Sequence, residues 1–277
     1  MTAIVPIDDP ADPRIEPYVQ VRERDLAGRG GGLIAEGEVV VRVLAGPGSR
    51  ARLRSLLIAR PRLDRLSDLI GRLPADAPIY VATPSLMDRV VGFHIHRGVL
   101  AHAERPPEAD AAALLGALPT RAIALVALGI SNHDNMGGLF RNAAAFGAAA
   151  LVLDARCCDP LYRKAIRVSV GAALTVPFAR LLRAEDPLQT LDAAGFEALA
   201  LTPSGGEPLA DLRPPERAAL LFGAEGPGLP AGVALRARKV SIPMAPGWDS
   251  LNVAAASAVA LFALTSHGAG PDRLTPL

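Results

Sequence analysis

Two short apolar runs, Ala219–Phe222 and Val240–Ile242, each break off into a turn of glycine and proline. The second turn leads into Leu251–Leu264, an alanine-rich stretch with neither Gly nor Pro inside it. Apolar runs this short, without polar alternation, read as strands buried on both faces, and such strands belong to parallel sheets covered by helices. Ala122–Leu128, Ala150–Leu153, Thr175–Phe178 and Glu197–Leu201 have the same character. Helical patterning fills the gaps at Gly137–Phe146, Leu161–Val168 and Leu188–Ala194. An α/β fold with a parallel sheet is therefore expected, with ligands gathering at the carboxyl ends of its strands. The loop after Phe222 fits such a place. Gly223, Gly226 and Gly228 let backbone amides approach a ligand closely, Pro227 and Pro230 hold the loop's shape, and Glu225 is its only charge.

With 277 residues the chain has room for two modest domains or one large one, and half of its residues are apolar, as in a globular protein. No apolar stretch reaches the length of a membrane span, and the amino terminus shows no basic segment followed by an apolar one. A cytoplasmic protein without membrane contact is the expectation. The two cysteines, Cys157 and Cys158, are adjacent, which provides neither a disulfide framework nor a Cys-based zinc site. No Cys or acid cluster joins His94, His96 and His102 locally, so no metal site is expected.

Residues 8–105 alternate helix-like and strand-like pieces: helices at Ile15–Glu23, Val39–Leu44, Leu63–Leu73 and Ser85–Val91, strands at Leu53–Ile58 and Pro78–Ala82, and a break at Gly30–Gly32. ERPPEADAAA (Glu104–Ala113) reads as a semi-rigid linker followed by a short helix. The expected layout is a first domain over 1–105, a linker over 106–120 and a second domain over 121–277. Net charge is only +1, yet seven arginines and one acid fall between Arg42 and Arg65. In SRARLRS, Arg50, Arg52 and Arg54 alternate with apolar residues, so an extended conformation puts three guanidiniums on one face. Such a comb suits phosphates, as does Arg97; an ordinary charged strand edge is the alternative.

Three segments in order carry a resemblance. The first is SNHDNMGGLFRNAAAFG (Ser131–Gly147), with Asn135, Gly137 and Arg141; the second is G-x-E-G-x-G, Gly223 to Gly228; the third is Ile242-Pro-Met followed by Ser250-Leu-Asn. Together they resemble the SPOUT superfamily, specifically the SpoU/TrmH-type RNA 2'-O-ribose methyltransferases. GLIAEGEVVV and GFHIHRGVLA in the first half resemble the substrate-binding domain, related to ribosomal protein L30e, that precedes the catalytic domain in many members.

That resemblance implies a catalytic domain whose C-terminal segment forms a trefoil knot, S-adenosyl-L-methionine as cofactor, rRNA or tRNA as substrate and a homodimer as the working unit. It implies cofactor binding through Thr202, Gly223, Ile242 and Leu251, with Gly228 and Met244 shaping the pocket. It implies a catalytic group of Arg141, Asn135, Glu225, Ser250 and Asn252, and RNA capture by Arg50, Arg52, Arg54 and Arg97. A guanidinium stays protonated at neutral pH, so the easier role for Arg141 is to bind a phosphate or the developing alkoxide. Glu225 is expected to pair with Arg141 or a backbone amide, and Ser250 to cap the last helix. The competing readings are an RNA-binding protein that keeps the fold without catalysis, and a dinucleotide-dependent dehydrogenase. The latter lacks a G-x-G-x-x-G after the first strand.

Overall fold

The computed structural model describes residues 3–21, 32–203, 205–248 and 250–266. Up to residue 107 the elements are β1 (Ile4–Pro6), β2 (Gly32–Glu36), α1 (Glu38–Leu44), β3 (Arg52–Ala59), α2 (Ser67–Ile70), β4 (Ile79–Ala82), α3 (Pro84–Val91) and β5 (Val99–Glu104). Then come α4 (Ala111–Gly116), β6 (Ala122–Leu128), α5 (His133–Phe146), β7 (Ala150–Leu153), α6 (Arg163–Val168), β8 (Phe178–Arg180) and α7 (Pro187–Ala193). The last are β9 (Glu197–Leu201), β10 (Glu207–Pro208), β11 (Arg217–Gly223), α8 (Ala231–Ala234), β12 (Arg238–Ser241) and α9 (Val253–Ser266). These fall into two compact units, Met1–Pro107 with Leu161–Thr175, and Glu108–Pro160 with Val176–Leu277.

The first unit is built on a mixed sheet in the order β1-β4-β3-β5-β2. β3 runs parallel to β4 and antiparallel to β5. Its core gathers Ile15, Tyr18, Leu57, Met87, Val91 and Leu100. Tyr18 is fully buried, and burial pushes its hydroxyl's pKa up. The cost of burying that hydroxyl is offset by a 2.7 Å hydrogen bond with Ser55 and by the His102 amide, which donates to it at 3.2 Å. Glu36, also buried, is held by Arg163 and, at 3.5 Å, by Arg167 of α6.

The second unit has seven strands in the order β10-β12-β9-β11-β6-β7-β8, with every pairing parallel. Its central strands are apolar and buried along their length because helices lie on both sides. From β6 the chain proceeds to β7 on one side, whereas from β11 it proceeds to β12 on the other. Sequence order therefore reverses between β6 and β11, and the loops leaving those two strands diverge. The opening at their carboxyl ends is where this topology places a ligand.

Most expected elements of the second half lie within a few residues of their expected ends, and the departures have local causes. α5 starts at His133 rather than Gly137, because the Asn132 side chain accepts from the Asp134 amide at 2.7 Å and caps the helix four residues earlier. The strand expected at Thr175–Phe178 is shifted to Phe178–Arg180. Pro177 cannot donate to a ladder, and Ala172–Leu174 is a 3-10 turn. In the first half, Leu63–Leu73 is not one helix but a 3-10 turn at Asp64–Leu66 and a single α turn at Ser67–Ile70, closed by Gly71. Pro13–Tyr18 is a 3-10 helix with Pro17 inside it, where a helix over Ile15–Glu23 was expected. The end of that expectation, and Gly30 and Gly31 of the expected break, lie outside the described residues. β1, β2, β5 and β10 have no counterpart among the expected elements.

Candidate active site

The loops leaving β9, β11 and β12 enclose a cleft of about 700 Å³. Its walls include Thr202, Phe222, Gly223, Glu225, Gly228, Ile242 and Met244, together with Ser250, Leu251 and Asn252 ahead of α9. All six residues expected to hold a cofactor thus line one cavity. The loop after β11 folds back on itself, with the Gly228 amide donating to the Ala224 carbonyl at 2.9 Å. A Cβ on Gly223 would stand 2.1 Å from the Gly228 carbonyl carbon and 2.2 Å from the Leu229 nitrogen, so only glycine permits this reversal. Gly228 itself has φ +70°. The Thr202 amide donates to Val240 O at 2.9 Å, which commits that N–H to the sheet.

Above the cleft three segments are tied together by amide and carboxylate groups. Asn135, in the first turn of α5 and only 5% exposed, donates from Nδ2 to Glu225 Oε1 at 2.6 Å. Asn252 donates from its Nδ2 to Asn135 Oδ1 at 2.8 Å and reaches Glu225 Oε1 at 3.4 Å. Asn252 Oδ1 in turn accepts from the amides of Ala254 and Ala255 at 2.9 and 3.3 Å. The helix cap is therefore Asn252, not Ser250, since α9 begins at Val253 and its first unpaired amides point at the asparagine. Glu225 pairs with the two asparagines, not with Arg141. Two turns further along α5, Asn142 donates to the Ala254 carbonyl at 2.6 Å and to Ser257 Oγ at 2.8 Å, a contact that no sequence motif announced.

Arg141 is exposed on α5, makes no ion pair among the described residues and is not part of the cleft wall. Of the expected catalytic group, Asn135, Glu225, Ser250 and Asn252 converge at the cleft, and Arg141 stands apart from it. Burial pushes the Cys157 thiol up to about 12 and the Cys158 thiol up to about 11, which disfavours the thiolate form.

The arginines of the first unit do not form the expected comb. Arg52 and Arg54 share the exposed face of β3, but Arg52 pairs with Asp76 at 2.9 Å and Arg54 with Glu104 at 2.5 Å. Arg50 precedes the strand in a bend and is half-buried, and that burial lowers its pKa. Arg97 is exposed, its side chain laid across Gly37. His94 and His96 sit in a loop rather than on a strand, His94 bonded to Asp88 at 2.7 Å. Among the described residues no group of three or more His, Cys, Asp or Glu could hold a metal, and no helix is long and apolar enough to cross a membrane.

The model of the SpoU rRNA methylase family matches residues 122–262. A protein of Mycobacterium bovis named as a tRNA/rRNA methyltransferase is 44% identical over 272 residues, covering 94% of this chain and 91% of its own. A second of that name, from Mycolicibacterium paratuberculosis, is 30% identical and covers 75% of this chain and 68% of its own. Among solved structures, an AdoMet-bound rRNA methyltransferase from Sinorhizobium meliloti superposes with a TM-score of 0.78 at 20% identity, covering 96% of this chain and 98% of that one. An RNA methyltransferase of the TrmH family from Porphyromonas gingivalis gives 0.75 at 24% identity, covering 91% and 97%. Both establish a shared fold.

Proposed function

This chain belongs to the SpoU rRNA methylase family, and we propose that it transfers a methyl group from S-adenosyl-L-methionine to a ribose 2'-hydroxyl of rRNA or tRNA. The observation that carries this reading is the convergence of three separated motifs on one cleft, fastened by the Asn135–Glu225–Asn252 bonds. The cleft suits the cofactor. Its volume falls within the range of ~300–1,000 Å³ usual for small-molecule sites. Its walls pair apolar side chains such as Phe222, Ile242 and Leu251 with backbone polar groups, and among the described residues they hold a single carboxylate. Gly223, Ile242, Leu251 and Thr202 would hold the cofactor, with Gly228 and Met244 shaping the pocket. When bound, S-adenosylmethionine supplies an electrophilic methyl carbon on a sulfonium.

The protein's share of the chemistry is to position and polarise the acceptor hydroxyl. Asn135, Glu225 and Asn252 fix the loop geometry at the cleft through their mutual hydrogen bonds, while Ser250 lines its wall beside them. Arg141, outside the cofactor cleft, binds the acceptor's phosphate or steadies its developing alkoxide. The same proposal includes an L30e-like RNA-binding first domain over 1–105, a linker over 106–120 and a catalytic domain over 121–277. It also includes RNA contact by Arg50, Arg52, Arg54 and Arg97, a C-terminal trefoil knot, a homodimer and a cytoplasmic location.

Calorimetry with S-adenosylmethionine, followed by incubation with total RNA and labelled cofactor and mass spectrometry of the nucleosides, tests the reading. Cofactor binding with 2'-O-methylnucleosides as product is the expected result. Methylation of a base instead, or cofactor binding without transfer, would overturn it. Arg141→Ala is expected to lower turnover by about 10²–10³-fold while leaving the calorimetric affinity for the cofactor unchanged, because Arg141 is not in the cleft wall.

A further inference from the structure

Arg156, in the loop after β7, is placed as if for an anion. Its side chain is 67% exposed, and its Nε donates to Asp154 Oδ2 at 3.0 Å. The other oxygen of Asp154 accepts from the Gly129 amide at 2.9 Å and from the Arg156 amide at 3.1 Å. One carboxylate thus ties the arginine to the loop leaving β6. The guanidinium arches over Gly129: a Cβ built there would meet Arg156 Cζ and Nη2 at 3.8 Å and the Ala224 Cβ at 3.4 Å. Arg156 and Ala224 therefore flank the same small volume at the carboxyl ends of β6 and β11, where strand order reverses. Ala224 lines the cleft, and the next residue is Glu225 of the asparagine–carboxylate cluster.

With its guanidinium end exposed to screening solvent, the pair acts chiefly by orienting the arginine. Asp154 engages Nε only, and the two Nη groups donate to none of the described residues. The fork edge of Arg156 is held outwards and remains open, the arrangement suited to bidentate contact with a phosphate. We propose that Arg156 binds a backbone phosphate of the RNA beside the nucleotide being methylated, and so positions its ribose. The assignment rests on the methyl-transfer reading above. It adds a positioning residue at a site that none of the three motifs includes.

The test uses the full chain, total RNA and two variants, Arg156→Gln and Arg156→Lys. Arg156→Gln is expected to raise the KM for RNA by about tenfold against a smaller change in kcat, with cofactor affinity by calorimetry unchanged. The slope of log affinity against log salt should lose about one phosphate's worth. Arg156→Lys should recover much of the loss at low salt, since a point charge still attracts the phosphate. Unchanged KM and salt slope in Arg156→Gln would overturn the proposal, as would an equal loss of cofactor binding. Filter binding of RNA in the presence of cofactor needs no turnover, so it tests Arg156 even if methyl transfer itself is not observed. Equal RNA retention by the wild-type chain and Arg156→Gln sinks the proposal; weaker retention by the variant sustains it.

Discussion

Asn252 performs two tasks with one side-chain amide. Its Oδ1 caps α9, and its Nδ2 closes the contact with Asn135 and Glu225. Asn252→Ala removes the cap, worth about 1 kcal/mol, and strands the buried Asn135 carbonyl at a cost of roughly 1–3 kcal/mol. Urea denaturation should therefore show a loss of about 2–4 kcal/mol for Asn252→Ala, and less than about 1 kcal/mol for Ser250→Ala, which leaves the cap intact. Equal losses would mean that the cap had been assigned to the wrong residue. The sequence made both polar residues visible but not this division of labour, because Ser and Asn are both good caps and stand two positions apart. Charge complementarity likewise pointed Glu225 at Arg141. Six residues at ~100° each leave Arg141 about 240° round the helix from Asn135, so one carboxylate meets the asparagine and the arginine faces elsewhere.

At the scale of elements, α5 and α9 meet at Gly138. A Cβ there would lie 2.4 Å from the Ala254 Cβ, whose carbon is anchored to its own helix and has no rotamer with which to withdraw. Glycine inside a helix ordinarily costs about 0.5–1 kcal/mol relative to alanine, so Gly138→Ala on an open helix would stabilise. Here the clash decides the sign. Gly138→Ala is expected to destabilise by roughly 1–3 kcal/mol, and Ala254→Gly in the same chain should restore part of that loss. Melting curves of the two single variants and the double variant check it; additive losses would mean that the helices do not meet there. This helix was expected to start at Gly137, the first of two consecutive glycines. The purpose of Gly138 lies in a partner more than a hundred residues further on, which local propensity cannot register. The buried parallel strands were the opposite case. Ala122–Leu128 and Glu197–Leu201 have the expected ends because an unbroken apolar run between polar turns has few other solutions.

For the molecule as a whole, long-range pairing is what local patterning along the chain does not reveal. Leu161–Thr175 joins the first unit through Arg163 and Arg167 on Glu36, and the first of these contacts spans 127 residues. β2 and β5 also pair across a long stretch of chain in the first unit, so neither declares itself by local alternation alone. The reverse applies to α9, whose composition says something that one copy of the chain does not satisfy. Val253–Ser266 has no charged residue, and a helix apolar all round is ordinarily buried all round. Yet Val259 is 44% exposed and Phe262, three residues on, 62% exposed, with Phe262 edge-on to Phe146 of α5 at 6.4 Å. The homodimer proposed above would cover that face with a second copy of the chain. Phe262→Asp places a charge at the centre of that surface without touching the cleft wall. Sedimentation velocity at micromolar concentration should give a dimer for the wild-type chain and a monomer for the variant, with unchanged far-ultraviolet circular dichroism. A monomeric wild-type chain would refute the homodimer. A dimer in both would mean that the copies meet elsewhere, and that this apolar face has another occupant.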